Sequence, residues 1–279
     1  MATTTSPIAA APPAPPSLFS RKPYYTLLTV TGFALLTLAG FVILIMGLQA
    51  GDLSELGMFI VFFLVPGVLG MILPWRFARW GAILPVLLAL ALAAMILPFM
   101  GFALLHPEGG LEFVLALLFF AGAALGIVGG VVCTIQGFRR TARPGATLLQ
   151  RRAYGGGLVL LVGLIAASFV LTALARTALA ADVRAGTTEV QVKDFSFTTR
   201  LLRVSAGETV RLAVRNDDTA LHTFTLPEAG VDIVIPAGAE RLVEFTAPAA
   251  GTYTWYCVPH TTITDAGPEG MVGTLSVTP

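Results

Sequence analysis

The run Trp255-Tyr256-Cys257-Val258-Pro259-His260, followed ten residues later by Gly270-Met271-Val272-Gly273, decides how this chain is read. It sets a thiol, an imidazole and a thioether on one strand-loop-strand. A second imidazole, His222, lies 35 residues before the cysteine, in Leu221-His222-Thr223-Phe224-Thr225-Leu226. Each donor alone has a plainer reading: a hydrogen-bonded core histidine, an inert buried thiol, a methionine filling the core. Together they form a set with a narrow chemical meaning. A thiolate and two imidazoles in a trigonal arrangement, with a weak axial thioether, is how proteins hold electron-transfer copper.

Rival metals fit this set less well. Structural zinc asks for four strong Cys or His ligands and catalytic zinc for three plus water. The fourth donor here is a thioether, which suits copper. A dinuclear copper centre needs a second bridging thiolate, and Cys257 stands alone, because Cys133, the only other cysteine, falls in an apolar run far upstream. The expected site is therefore mononuclear.

Around the motif, from Thr187 onward, short alternating runs are punctuated by turn residues, the pattern of an all-β sandwich. Val210, Leu212 and Val214 share one face; His222, Phe224 and Leu226 share another; Val243 and Phe245 point inward; Tyr253, Trp255 and Cys257 align. His222 and Cys257 thus belong to the inward set of their strands, a costly position for polar groups that lack a partner.

The preceding residues have another character. The chain is 56% hydrophobic and 12% charged with a mean hydropathy of +0.82, against roughly 25% charged in soluble proteins, so much of it sits in lipid. The net charge of +1 gives no case for nucleic-acid binding. Residues 1–23, rich in Ala and Pro, read as a disordered tail. Five apolar runs follow, at 24–48, 57–73, 82–105, 111–136 and 155–174, each near the ~20 residues needed to span a membrane. Residues 24–175 are expected to form a five-helix transmembrane domain, 176–186 a linker and 187–279 the β-domain. Ala178-Leu179-Ala180 in the linker resembles a signal-peptidase site.

Charge separates between the loops. Arg21, Lys22, Arg76, Arg79, Arg139, Arg140, Arg143, Arg151 and Arg152 fall in one set; the alternate loops hold Asp52, Glu55, His106 and Glu108 without any Lys or Arg. Positive residues stay inside, so the N-terminus is expected in the cytoplasm and the β-domain outside. Gly122, Gly126 and Gly130 allow close helix approach. Packing within the bundle is preferred; a homo-oligomer through this stripe is the alternative. The spans offer neither an imidazole pair for haem nor a mid-span ionisable residue for ion transport.

The C-terminal 93 residues, from Thr187 to Pro279, resemble the cupredoxins, small blue copper proteins such as plastocyanin. The resemblance rests on Ala206-Gly207-Glu208-Thr209-Val210, on Asn216 through His222-Thr223, on Gly251 to His260, and on Gly270-Met271-Val272-Gly273. It implies a Greek-key β-sandwich with one copper ion held by His222, Cys257, His260 and Met271, and an electron port at His260 rimmed by Val258, Pro259 and Ile263. Two departures stand out. Thr223 replaces the Asn that often tethers the cysteine loop in plastocyanin-like members, and its hydroxyl could make a similar bond. Ten residues separate His260 from Met271, more than in plastocyanin-like loops, so the extra stretch is expected to loop out.

The reading is a membrane α-helical bundle followed by a cupredoxin-like sandwich. It is expected to carry electrons between respiratory partners, a cytochrome or an oxidase-type complex, on the outer face of the cell membrane. Storage or delivery of copper is the alternative. An enzyme of nitrite-reductase or oxidase type needs a second copper site, and His106 is the only histidine left over.

Overall fold

A computed structural model describes residues 24–49, 54–77, 80–139, 146–177 and 187–279. The tail 1–23, the Ala178-Leu179-Ala180 segment, and Arg79, Arg140 and Arg143 lie outside the described residues. The helical region comprises α1 (Tyr24–Gln49), α2 (Ser54–Met58) leading through a π-helical stretch (Phe59–Leu64) into α3 (Val65–Arg76), then α4 (Ile83–Leu104), α5 (Leu111–Phe138) and α6 (Leu148–Thr177). Among the described residues, four segments are long and apolar enough to cross a membrane: Tyr24–Leu48, Leu56–Arg76, Leu111–Phe138 and Leu148–Leu174. Ile83–Pro98, in the remaining run, is a shorter apolar helix.

Local chemistry explains two features of these helices. Pro66 cannot donate a backbone hydrogen bond, and the wider π-helical turns lie immediately before it. Helix α6 begins seven residues before the apolar run expected there, because Thr147 and Gln150 exchange reciprocal backbone–side-chain bonds of 2.9 and 3.2 Å, a capping box. It also continues to Thr177, taking the first residues expected in the linker.

The glycine stripe on α5 is used within the chain. A Cβ on Gly122 would lie 2.8 Å from the Gly32 carbonyl oxygen of α1, and one on Gly130 would lie 2.4 Å from Val86 of α4. Both glycines and Gly126 are buried, so the stripe packs the bundle and is closed to a second copy. Helix α6, by contrast, leaves most of its apolar surface uncovered. Its C-terminal half is tied down by Ser168 Oγ, which donates to the Pro107 carbonyl at 2.6 Å, and by Thr172 Oγ1, which donates to the Glu108 carbonyl at 2.9 Å.

The β-domain has two sheets. One is ordered β2 (Ser196–Phe197), β1 (Thr188–Lys193), β4 (Thr209–Asn216), β7 (Glu240–Thr246); the other β3 (Leu201–Ser205), β9 (Gly267–Thr278), β8 (Gly251–Thr264), β5 (His222–Leu226), β6 (Val231–Ile235). One core joins them, with Leu212, Val214 and Val243 from the first facing Phe224, Trp255 and Leu275 from the second. Trp255 stacks on Phe224 at 5.6 Å between ring centroids. The inward faces read from the alternation are the buried ones. Strand β5 departs from simple alternation, since Thr223 and Thr225 are buried as well.

A Cβ on Gly273 would sit 2.3 Å from the Trp255 ring. Gly273→Ala should therefore cost the β-domain roughly 1–3 kcal/mol through overpacking. The measurement is an earlier thermal loss of near-ultraviolet dichroism, with the helical far-ultraviolet signal persisting.

Candidate metal centre

Three strands bring the donors together. His222 opens β5, Cys257 and His260 lie on β8, and Met271 lies on β9. Strands β8 and β9 pair regularly from Gly251↔Val277 to Tyr256↔Val272, shift register, and resume from Thr261↔Gly270 to Thr264↔Gly267. The register break contains Cys257 and His260. The stretch expected to loop out is instead a hairpin turning at Asp265-Ala266, so each added residue on one arm is answered on the other and Met271 returns to the sheet. Gly270, at φ 117°, permits the closure, where a Cβ would lie 2.6 Å from the His260 carbonyl oxygen. Met271 is buried in the same cluster as Cys257.

The ligand atoms of His222, Cys257 and His260 all lie within 4.8 Å of one another. Cys257 Sγ stands 3.6 Å from His222 Nδ1 and 3.3 Å from His260 Nδ1. Donors about 2.0–2.3 Å from a shared ion stand roughly 3–4 Å apart, so these separations fit one ion. His222 and Cys257 are fully buried and His260 is half-buried. A nucleophilic cysteine needs access and a lowered pKa; Cys257 has neither, since burial pushes its thiol up to about 11. Burial likewise holds the His222 imidazolium down, to about 4, and lowers that of His260, the nearby Asp218 carboxylate opposing both shifts.

The surrounding bonds set the donors' orientation. Thr223 makes the tether its position suggested: its Oγ1 accepts from the Val258 backbone N–H at 2.8 Å, and its own N–H donates to Cys257 Sγ at 3.3 Å. The Asp218 carboxylate, no part of the expected ligand set, lies 2.9 Å from His222 Nε2. That contact leaves Nδ1 facing the sulfur, as a carboxylate behind a ligating histidine does. The same carboxylate accepts from the backbone N–H groups of Asp194 and Phe195, at 2.7 and 3.0 Å. These two residues hold φ values of 52° and 54°, an uncommon conformation outside glycine. The turn they form sets the Phe195 ring edge-on to both histidines, 5.5 Å from His222 and 4.9 Å from His260 between centroids. Asn216 fixes the turn below, its amide donating to the Ala220 and Ile235 carbonyls at 2.7 and 2.9 Å. No local sequence signal marks Asp218, because beside Asn216 and Asp217 it is ordinary turn chemistry.

The His260 side of the site meets the helical region. Pro259 and His260, with Leu221, line a cavity of about 310 Å³ shared with Ile43, Met46, Met100 and Glu112. The Glu112 carboxylate accepts a hydrogen bond from the Leu221 backbone N–H, and Leu221 packs over Gly109. Burial pulls the Arg241 guanidinium down and the Glu108 carboxylate opposes the shift. Of the rim expected around His260, Val258 and Ile263 are exposed and Pro259 faces this cavity.

Residues 164–266 match the family model described as a cupredoxin-like domain, and the chain carries that domain at its C-terminal end. No curated protein matches the sequence. Among solved structures, auracyanin A, a "blue" copper protein from Chloroflexus aurantiacus, aligns at 24% identity over 33% of this chain and 98% of its own, with a TM-score of 0.27. Amicyanin from Paracoccus versutus aligns at 23% identity over 35% of this chain and 87% of its own, with a TM-score of 0.26.

The metal-free protein should lose stability as pH falls from about 6.5 to about 4. Unfolded His222 takes up a proton at its ordinary value of 6.5 while folded His222 resists until about 4, so the unfolded state binds the extra proton. Denaturant midpoints at pH 7 and 4.5 measure the fall, which His222→Gln should reduce. At neutral pH, metal binding should release about one proton, from the Cys257 thiol, by titration in weak buffer.

Proposed function

We propose that the chain is a membrane-anchored mononuclear type 1 copper protein that carries single electrons between respiratory partners, a cytochrome or an oxidase-type complex. The observation that carries this reading is the convergence of His222 Nδ1, Cys257 Sγ and His260 Nδ1 inside a cupredoxin-like domain. Copper bound there supplies a one-electron couple between Cu(I) and Cu(II). His222, Cys257 and His260 would hold it, with Met271, buried in the same cluster as Cys257, as a further, weaker thioether donor. The chain's own residues keep rearrangement small: the sheets fix three donors, Asp218 and Thr223 orient two of them, and Phe224, Trp255 and Phe195 exclude water.

The charge pattern supports five crossings with the N-terminus cytoplasmic and the β-domain outside. The apolar helices anchor the domain in the cell membrane. The protein is a carrier and not an enzyme in this reading, since nitrite-reductase or oxidase turnover requires a second copper site with further histidines, and His106 is the only one left over.

The test is the visible spectrum of the purified full chain in detergent after addition of Cu(II). An intense thiolate-to-copper band, bleached by reductant and lost in Cys257→Ser, is the expected result. A colourless product, or a readily exchanged Cu(I) complex, would favour copper delivery and sink the carrier reading. Met271→Ala should keep the colour and shift the reduction potential; an unchanged potential removes Met271 from the ligand set.

A further inference from the structure

The cavity beside His260 has features that a mere packing defect lacks. At about 310 Å³ it reaches the lower range of small-ligand sites and is far larger than a single ion requires. It lies where the ends of α1 and α4 meet the β-domain: Ile43, Met46 and Gly47 come from α1, and Met100, Phe102 and Ala103 from α4. Its walls are apolar except for two groups, the Glu112 carboxylate and the His260 imidazole. The imidazole belongs to the metal site, so an occupant lies against a ligand edge.

The arrangement also limits what can reach that edge. Pro259, His260 and Leu221 face the helices, so a water-soluble protein cannot dock on them in this structure. A small molecule dissolved in the bilayer can approach along the helix ends. Its ring would meet the thioethers of Met46 and Met100, which make favourable contacts with aromatic faces. Its polar substituents would need a partner at each end, and Glu112 and His260 supply two. Phe102 is already engaged by His106, at 4.3 Å between centroids, which fixes that wall.

We propose that this cavity binds the head group of a lipid-soluble quinone-type carrier, with Glu112 and His260 as its polar contacts. Its use as a redox partner rests on the copper reading above; the binding itself does not. Recognition is by a flat ring bearing opposed carbonyl oxygens, one accepting from the Glu112 carboxyl O–H and the other from the His260 imidazole N–H, with the isoprenoid or alkyl tail left in lipid.

The test uses the copper-free full chain in lipid nanodiscs with a photoreactive azido-benzoquinone carrying a decyl tail. Labelling should map to 43–47 and 100–103 and be displaced by unlabelled decyl-benzoquinone but not by decane or phospholipid. Met46→Trp, which fills the cavity, should abolish displaceable labelling, and Glu112→Gln should weaken it about tenfold. Displacement by decane or phospholipid alone, or labelling unaffected by both substitutions, overturns the proposal. The copper-loaded spectrum is recorded in parallel. A blue protein without displaceable labelling overturns the cavity proposal and leaves the metal site standing. A colourless protein that binds the quinone does the reverse.

Discussion

Burying a thiol and an imidazole in a β-sandwich, with a second imidazole half-buried beside them, carries a desolvation cost that apolar neighbours cannot offset. The domain meets it with short-range bonds before any ion is considered. Cys257 receives the Thr223 N–H, His222 leans on Asp218, and the two rings stand 4.6 Å apart between centroids. The remaining capacity of the donors, Nδ1 on each histidine and the sulfur itself, converges on one point. A single ion would satisfy all three, and the same bonds that limit the cost without it would hold the geometry with it.

Much of this could be read in the residues. Period-two alternation identified the buried faces of β4, β5, β7 and β8, and the Cys-Val-Pro-His spacing put a thiol and an imidazole on one turn. Thr223 was legible because it follows a donor histidine and bears a hydroxyl. Asp218 was not, because an aspartate in Asn216-Asp217-Asp218 is ordinary turn chemistry, and only the folded β1–β2 turn brings Asp194 and Phe195 to it. The hairpin at Asp265-Ala266 was hidden for a related reason. Thr261-Thr262-Ile263-Thr264 carries strand propensity, but pairing across a register break leaves no local signal.

The helical half was legible in outline only. Hydropathy finds apolar runs, yet the start of α6 depends on a cap between Thr147 and Gln150, and the glycine stripe acquires its meaning from Gly32 on a helix ninety residues away. The placement of the β-domain was invisible. It follows from Leu221 reaching Gly109 and Glu112, contacts between residues that no periodicity links.

The two-armed hairpin from Thr261 to Gly270 gives the domain a modular tip. Because the two arms pair with each other beyond the register break, residues can be added or removed in pairs near Asp265 without moving Cys257, His260 or Met271. Ile263, 65% exposed there, sits on a projection whose length is decoupled from the strand segments that carry His222, Cys257 and Met271. The tip can thus diversify in sequence as a recognition element, or accept a grafted epitope or fluorophore, while the donors beneath it keep their spacing.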